Sequence, residues 1–314
     1  MDNIFTKKFT IKETNNSLWL AVDVQFSHGR ISGRDAPELW RAVIKDGLLA
    51  SRPIDAMQLL EPLRTRGLGA NVDCPGWVIE CRDRPSGSRI FLKFLGSAFR
   101  FAPACLLALE NGLRQGVGQH RVEGSLQGLQ AWQDDEWHDI AMPLLATQLH
   151  SWLACPATLA GFKTLALPLK QMPGTLTLNT RSRWVWRKQG QLVSAPPELV
   201  DVIELVERRV ERFQLAWGDM STDFWRDAIK EARRCSTEFK SVKNAWQKSH
   251  RHVGGKYPGH GHHGFVTYEG SASEALLFCL HVGSFLHVGQ QTSIGLGGYA
   301  MDFSPSARSE TTPK

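Results

Sequence analysis

The chain has no apolar run long enough to span a bilayer, and its first residues lack the apolar segment of a signal peptide. We therefore expect a soluble, cytoplasmic protein with no membrane partner. No cysteine pair has the C-x-x-C spacing, because the six cysteines are scattered along 314 residues. This scatter argues against a structural zinc site and a disulfide framework, so the cysteines are interpreted as reduced thiols, mostly in the core.

The two common phosphate-binding motifs are also absent. The glycine-rich segment at residues 283–298 has the wrong spacing for a P-loop, and Gln290 stands where the lysine of that motif would reach a phosphate. A dinucleotide-binding loop follows a strand and opens a helix, whereas this segment follows a helical apolar pattern. Its glycines can let backbone N–H groups approach an anion, although a loop that only ends the helix explains one occurrence equally well.

The pattern occurs twice, which favours a role beyond ending a helix. Each copy consists of a strand, a helix, a glycine loop and a second strand. The first copy occupies residues 89–96, 101–113, 116–118 and 120–123, and the second occupies residues 264–270, 274–286, 289–297 and 299–303. Such a repeat predicts two related domains.

Upstream of the first copy, residues 18–26 alternate between apolar and other side chains, as in a strand with one buried face. A helix then begins at Asp35 and Pro37, and a second covers residues 54–63. A hairpin is predicted around residues 84–87. Together with the first copy this gives the order β-α-β-β-α-β, a ferredoxin-like antiparallel sheet with two helices on one face.

The same order is predicted in the second half. We expect an opening strand at residues 149–154, a helix at residues 197–217, a short helix and then a strand that ends near Trp246. Residues 165–191 are interpreted as an inserted hairpin, and residues 249–263 as a loop. The predicted fold class is therefore α+β, with tandem ferredoxin-like domains at residues 1–143 and 144–303. The polar residues 304–314 are expected to be disordered.

The charge distribution favours an anionic partner. The formal net charge is +6, and basic residues are mixed with aromatic ones in residues 226–257. Because cations neutralise phosphates and aromatic rings stack on unpaired bases, this mixture suits RNA better than a small anion. The alternative interpretation is that these residues form a basic surface that does not bind RNA.

Histidines stand out in two places. His260, His262 and His263 lie between glycines with no companion cysteine or carboxylate, so a metal site is the less favoured interpretation and phosphate contact or solvent exposure the more favoured one. His28 follows the first strand beside Arg30 and Arg34. A histidine can take a proton near neutral pH, and arginines can stabilise charge on a phosphate, but a structural histidine explains the pattern as well.

Several motifs resemble those of CRISPR repeat-RNA endoribonucleases of the Cas-six family, in the RAMP superfamily. The resemblance rests on the paired glycine loops, the sequence GFVTYEG at residues 264–270 and the sequence LHVGQQTSIGLG at residues 286–297. Residues 95–118 are similar to the first domain of that family. The likeness covers most of the chain from about Ile90.

The resemblance implies tandem RAMP-type, RRM-like domains that bind the repeat of a precursor CRISPR RNA. It implies a single cut without metal or other cofactor, in which the 2′-hydroxyl attacks the adjacent phosphate and leaves a 2′,3′-cyclic phosphate and a 5′-hydroxyl. The product RNA would stay bound, with other effector-complex subunits as further partners. His28 matches the location of the family's catalytic histidine, and Arg30 or Arg34 would stabilise the phosphate. Catalysis by an arginine, or by a histidine of residues 260–263, stays open.

A single RNA-binding surface is expected from the glycine loops and the basic segment. Its predicted members are Gly116, Gly118, Lys240, Lys243, Lys248, His250, Arg251, Lys256, Gly289, Gly295 and Gly297. A catalytically silent repeat-RNA-binding subunit is the main alternative function, and a histidine-loop metalloprotein is the least favoured one.

Overall fold

The computed structural model describes most of the chain. The described residues are 7–10, 17–27, 36–62, 74–118, 120–134, 136–153, 164–167, 171–217, 222–250, 260–289 and 297–306. Within these ranges, no helix is both long and apolar enough to cross a bilayer.

The first half forms a five-stranded sheet in the order β3-β4-β2-β5-β6, with all neighbours antiparallel. Its strands are β2 (Ser17–Phe26), β3 (Trp77–Arg84), β4 (Gly87–Leu95), β5 (Gly124–Gln133) and β6 (Glu136–Asp139). The helices of this half are α1 (Ala36–Ser51), α2 (Pro53–Leu60) and α3 (Ala102–Arg114), the last preceded by a 3-10 helix at Gly96–Phe101. The predicted ferredoxin-like order is therefore confirmed, with β6 as an added edge strand.

The second half repeats this arrangement in a four-stranded sheet of order β11-β12-β8-β13. Its strands are β8 (Met172–Thr180), β11 (Lys240–His250), β12 (His260–Ala272) and β13 (Tyr299–Pro305). Its helices are α4 (Leu199–Trp217), α5 (Thr222–Ser236) and α6 (Glu274–Leu286). In both sheets the first and third strands of the β-α-β-β-α-β order lie in the centre, so the α+β tandem ferredoxin-like architecture is confirmed.

Periodic apolar residues explain why these elements form. Leu18, Leu20 and Val22 are buried on one face of β2, and Trp40 and Ile44 are buried one helical turn apart on α1. The helix α4 buries the stripe that its sequence predicted, Leu199, Val202, Ile203, Val206, Val210 and Phe213. Each such side chain stabilises the fold by about 1.5–3 kcal/mol relative to exposure. Four of the described cysteines are buried as well, as expected for core thiols.

The opening strand of the second half was wrongly predicted. Residues 146–152 form a 3-10 helix, Ala146–Trp152, and the opening strand is β8. In β8, Leu176 and Leu178 are buried, while Thr175 and Thr177 lie on the opposite face. The predicted inserted hairpin shrinks to β9 (Arg187–Lys188) and β10 (Gln191–Leu192).

Three boundaries also need correction. Residues 120–123 are not a strand, since a bridge between Val117 and Val122 closes a turn before β5 begins. Residues 260–263 are not a loop, because β12 begins at His260 and pairs with β11 up to His250. At the C-terminus, residues 304 and 305 belong to β13, and the rest of the predicted tail from residue 307 lies outside the described residues.

A two-stranded sheet connects the first described strand to the second half of the chain. The strand β1 (Lys7–Thr10) pairs antiparallel with β7 (Thr164–Leu167), which lies shortly before β8. The N-terminal strand is therefore paired with a segment of the second half of the sequence.

Candidate nucleic-acid interface

The second glycine loop begins where α6 ends, and its described residues have left-handed backbone conformations. The φ angle is 93° at Gly289 and 80° at Gly297. A Cβ atom on Gly297 would lie 1.8 Å from the carbonyl oxygen of Val288, and one on Gly289 would lie 2.6 Å from that of Val185. Only glycine fits both positions, because conformation and space each exclude a side chain. Gly295 lies outside the described residues.

The first glycine loop is a tighter turn. Val117 and Val122 exchange two backbone hydrogen bonds of 2.8 and 3.0 Å. Gly116 has a φ of 83°, and a Cβ there would lie 2.4 Å from the Arg121 carbonyl oxygen. Gly118 has a φ of 76°, but among the described residues no atom beyond its chain neighbours lies within 4 Å of the position of its Cβ. Gly118 therefore leaves an open surface where another molecule can approach the backbone.

The second glycine loop is tied to α1 through Arg183. The backbone N–H of Gly297 donates to the Arg183 carbonyl oxygen over 2.9 Å. The Arg183 guanidinium donates in turn to Glu38 Oε1 over 2.7 Å, and both side chains are about nine-tenths buried. Glu38 is in the first turn of α1. The ion pair therefore fixes the glycine loop beside the start of the first helix.

The segment that carries the predicted catalytic residues connects β2 to α1. His28, Arg30 and Arg34 lie outside the described residues, but both ends of this connection are described. At one end, the backbone N–H of Ser27 donates to the Glu123 carbonyl oxygen, just beyond the first glycine turn, over 3.0 Å. At the other end, Glu38 binds Arg183. The two ends of the connection thus lie against the two glycine loops.

The lysines that were predicted to bind RNA lie along one edge of the second sheet. β11 is an edge strand, and Lys240, Lys243 and Lys248 on it are exposed. The ammonium group of Lys243 lies 5.7 Å from the centre of the Phe265 ring. The backbone of His250 pairs opposite His260, whereas Arg251 and Lys256 lie outside the described residues.

An aromatic cluster supports this edge on the face shared by Trp246 and Lys248. The half-buried Trp246 ring stacks on His262, with ring centres 6.0 Å apart and 7° between the planes. It forms a T-shaped pair with Trp184, whose ring centre is also 6.0 Å away. Burial lowers the pKa of His262, and the charges of Lys248 and His263 lower it further. His262 is therefore neutral near pH 7, and Lys248 supplies the positive charge of this cluster.

Two adjacent histidines of β12, His262 and His263, point away from each other. Neighbouring residues of a strand point to opposite faces, so His262 and His263 cannot chelate one ion together. In the part of the chain that the structure describes, no three His, Cys, Asp or Glu side chains are grouped as metal ligands.

Residues 183–184 join these parts into one surface. Trp184 exchanges backbone hydrogen bonds of 2.7 and 2.9 Å with His262, while the adjacent Arg183 binds Gly297 and Glu38. The second glycine loop, the start of α1 and the β11–β12 edge are therefore contiguous. Neither Arg183 nor Glu38 was predicted as a site residue, because the two are 145 positions apart and no local motif links them.

Known proteins show the same architecture. A family model described as CRISPR-associated endoribonuclease Cas6 matches residues 157–299. No curated protein matches the chain.

Among solved structures, a Cas6 product complex is similar, with a TM-score of 0.55, 14% identity and coverage of 91% of this chain and 100% of that chain. Thermus thermophilus Cas6 has a TM-score of 0.52 at 13% identity, covering 92% of this chain and 99% of its own. A partial Cas6-RT-Cas1–Cas2 complex has a TM-score of 0.54 at 15% identity, covering 94% of this chain and 47% of that chain. The predicted resemblance to the Cas6 family is thus confirmed, by sequence over residues 157–299 and by fold over most of the chain.

Proposed function

We propose that this protein is an endoribonuclease that binds the repeat of a precursor CRISPR RNA and cuts it once. One observation carries the proposal: the connection from β2 to α1 is held at Ser27 beside the first glycine turn and at Glu38 beside the second glycine loop. Those two loops and the lysines of β11 would hold the RNA backbone. The segment with His28, Arg30 and Arg34 lies between these two ends in the sequence, and we propose that it supplies the catalytic side chains.

The proposed reaction is an internal transesterification. His28 takes the proton of the repeat's 2′-hydroxyl, the 2′-oxygen forms a bond to the adjacent phosphorus, and the bond from phosphorus to the 5′-oxygen breaks. Arg30 or Arg34 stabilises the charge that develops on the phosphate oxygens, and a proton must reach the leaving 5′-oxygen. The products are a 2′,3′-cyclic phosphate and a 5′-hydroxyl, and no step in this scheme requires a metal ion.

The proposed RNA-binding surface suits an RNA segment better than a small anion. Gly118 leaves open space at the first turn, Trp246 and His262 present stacked rings, and Lys243 and Lys248 place charge on opposite faces of β11. Such separated contacts span several nucleotides. We expect the cut RNA to stay bound in the cytoplasm, where other CRISPR effector subunits would join it.

The reaction is tested with repeat RNA in EDTA. Replacing the nucleotide 5′ of the cut by its deoxy form removes the nucleophile, so this RNA should bind with near-normal affinity but stay intact. The products of unmodified RNA should carry a cyclic phosphate and a 5′-hydroxyl. Cleavage of the deoxy RNA would refute the mechanism, and activity lost only in EDTA would favour a metal-dependent one. Binding of both RNAs without cleavage would identify a silent binding subunit.

The role of His28 is tested by single-turnover kinetics. Removing a general base typically costs about 10²- to 10⁴-fold in rate, so His28→Ala should slow cleavage by this order with little loss of affinity. His138→Ala replaces an exposed histidine on β6 and serves as the matched control. A loss for His28→Ala no larger than for the control would move the base to an arginine or to residues 260–263.

A further inference from the structure

We propose that His287 is a positioning residue that fixes the second glycine loop to the sheet of the first half. It is the first residue after α6, and its side chain is 1% exposed. His287 Nε2 lies 3.4 Å from Glu80 Oε1 on β3, and Lys93 Nζ on β4 lies 2.5 Å from the same oxygen. The residue that leads from α6 into the loop is therefore in contact with β3 and is linked through Glu80 to Lys93 on β4.

The protonation states of His287 and Glu80 determine which of them donates the hydrogen bond. Burial lowers the pKa of His287, Glu80 acts to raise it, and the charges of Lys93 and Arg209 lower it. The net pKa lies below the usual value, so the imidazole is neutral near pH 7. Burial alone would raise the pKa of Glu80, but Lys93 and His287 outweigh it and hold the pKa well below its usual range. Because a carboxylate only accepts, the neutral ring carries its hydrogen on Nε2 and donates it to the Lys93–Glu80 ion pair.

The end of α6 also packs on this sheet beside His287. The Phe285 ring lies 5.2 Å from the Trp19 ring, and Lys93 Nζ lies 4.9 Å from the Trp19 ring centre. Trp19 and Lys93 are opposite each other in β2 and β4, on the face away from the core side chains of β2. The contact of His287 with Glu80 thus adds to the contacts that Phe285 makes between the end of α6 and the first sheet.

Both ends of the glycine loop meet at the imidazole. His287 has a φ of 55° and a ψ of 146°, a conformation that is unfavourable for a residue with a Cβ atom. A Cβ on Gly298, at the far end of the loop, would lie 2.8 Å from His287 Nε2, so the backbone of Gly298 packs on the ring. On the helix side, Arg209 Nε donates to the Leu286 carbonyl oxygen over 3.1 Å. The bond to Glu80 therefore fixes where both stems of the loop stand relative to the first half.

This arrangement matters for cleavage, and here the inference rests on the proposed function. The glycine loop would hold RNA, whereas His28, Arg30 and Arg34 belong to the first half of the chain. His287 would set the distance between the bound phosphate and these side chains. A misplacement of about 1 Å can cost on the order of a hundredfold in rate, so cleavage is expected to depend on His287 although its buried ring does not reach the RNA.

The test compares three substitutions of His287. His287→Gln keeps an N–H that can reach Glu80. His287→Asn keeps an amide N–H but is too short to reach Glu80, and His287→Ala removes the donor altogether. The control is His281→Ala, which changes a histidine within α6. Single-turnover cleavage of repeat RNA at saturating protein should fall about tenfold to a hundredfold for the Ala and Asn variants, whereas the Gln variant and the control should retain most of the rate.

Hydrogen exchange without RNA gives an independent readout. The amides of Val288 and Gly297 are bonded to Gly297 and Arg183, so both should exchange faster in the Ala and Asn variants and at the wild-type rate in the Gln variant. Equal exchange in the Asn and Gln variants would overturn the positioning role, even if the Ala variant fails to fold. If the wild-type protein does not cut repeat RNA, the proposed function fails, while the exchange rates still decide what His287 does.

Discussion

Gly297→Ala should open the second glycine loop. A Cβ at this position would lie 1.8 Å from the Val288 carbonyl oxygen and 2.8 Å from its carbon. The clash is with backbone, so no side-chain rotation can relieve it. A left-handed residue with a Cβ costs about 1–2 kcal/mol. Two backbone hydrogen bonds, from Val288 N to Gly297 O and from Gly297 N to Arg183 O, would be lost at about 0.5–1.5 kcal/mol each.

The closed loop should therefore lose about 2–5 kcal/mol, and affinity for repeat RNA should fall by tens-fold to a few thousandfold if only the closed loop binds. The matched control is Gly190→Ala in the turn between β9 and β10. Gly190 has nearly the same φ, 81°, but no atom of the described part of the chain, apart from its neighbours in sequence, lies within 4 Å of its Cβ position. The Gly190 variant therefore isolates the conformational cost. Equilibrium binding of labelled repeat RNA, with thermal unfolding as the folding control, separates the two variants. Equal affinities would refute the argument that the packed loop presents the binding surface.

Other predictions follow from single contacts. Lys248→Ala should reduce the slope of log affinity against log salt by about one unit or less, whereas Lys230→Ala, at an exposed lysine on α5, should leave the slope unchanged. Gly118→Phe has open space around it, so it should weaken RNA binding without a comparable loss of stability, as measured by titration and thermal unfolding. Tyr268→Phe leaves a buried backbone carbonyl without its 2.6 Å donor and should lower the free energy of unfolding in urea by about 1–3 kcal/mol, with cleavage unchanged. The pKa of His287 is lower in the folded state than the ordinary histidine value of 6.5, so the unfolded chain binds an extra proton when the pH falls below 6.5. The free energy of unfolding of the wild type should therefore fall more steeply below pH 6.5 than that of His287→Gln.

The element order could be predicted where the signal is local. The alternation in β2 and the apolar stripe of α4 specify buried faces within one element, and both were placed correctly. The positive φ angles at Gly116, Gly118, Gly289 and Gly297 likewise match the roles that glycine alone can fill.

The wrong predictions concern segments whose conformation depends on pairing with distant strands. The alternation of β8 is short and follows Pro173 and Gly174, so it resembled a hairpin; its central place depends on pairing with β12 and β13, which the sequence does not display. The glycines around His262 suggested a loop, yet pairing with β11 and the bridge to Trp184 keep this stretch extended.

The contacts that assemble the candidate site were beyond prediction for the same reason. Arg183 and Glu38 are 145 positions apart, and His287 and Glu80 are 207 positions apart. Periodicity and turn motifs report on neighbours in the chain, whereas these pairs depend on how two sheets are placed against each other. From the sequence, His287 was predicted only as part of a glycine motif. The positioning role proposed for it depends on its burial and its contact with Glu80, which the motif does not indicate.

The pairing of β1 with β7 can form only late in the synthesis of the chain. During synthesis β1 leaves the ribosome before the first sheet, whereas its partner at residues 164–167 follows only after every strand of that sheet has emerged. At about 5–20 residues per second the wait is on the order of ten seconds, long enough for the first half to fold while β1 stays unpaired. A nascent chain released before β7 emerges would therefore expose a free strand edge, which is a template for pairing with other chains.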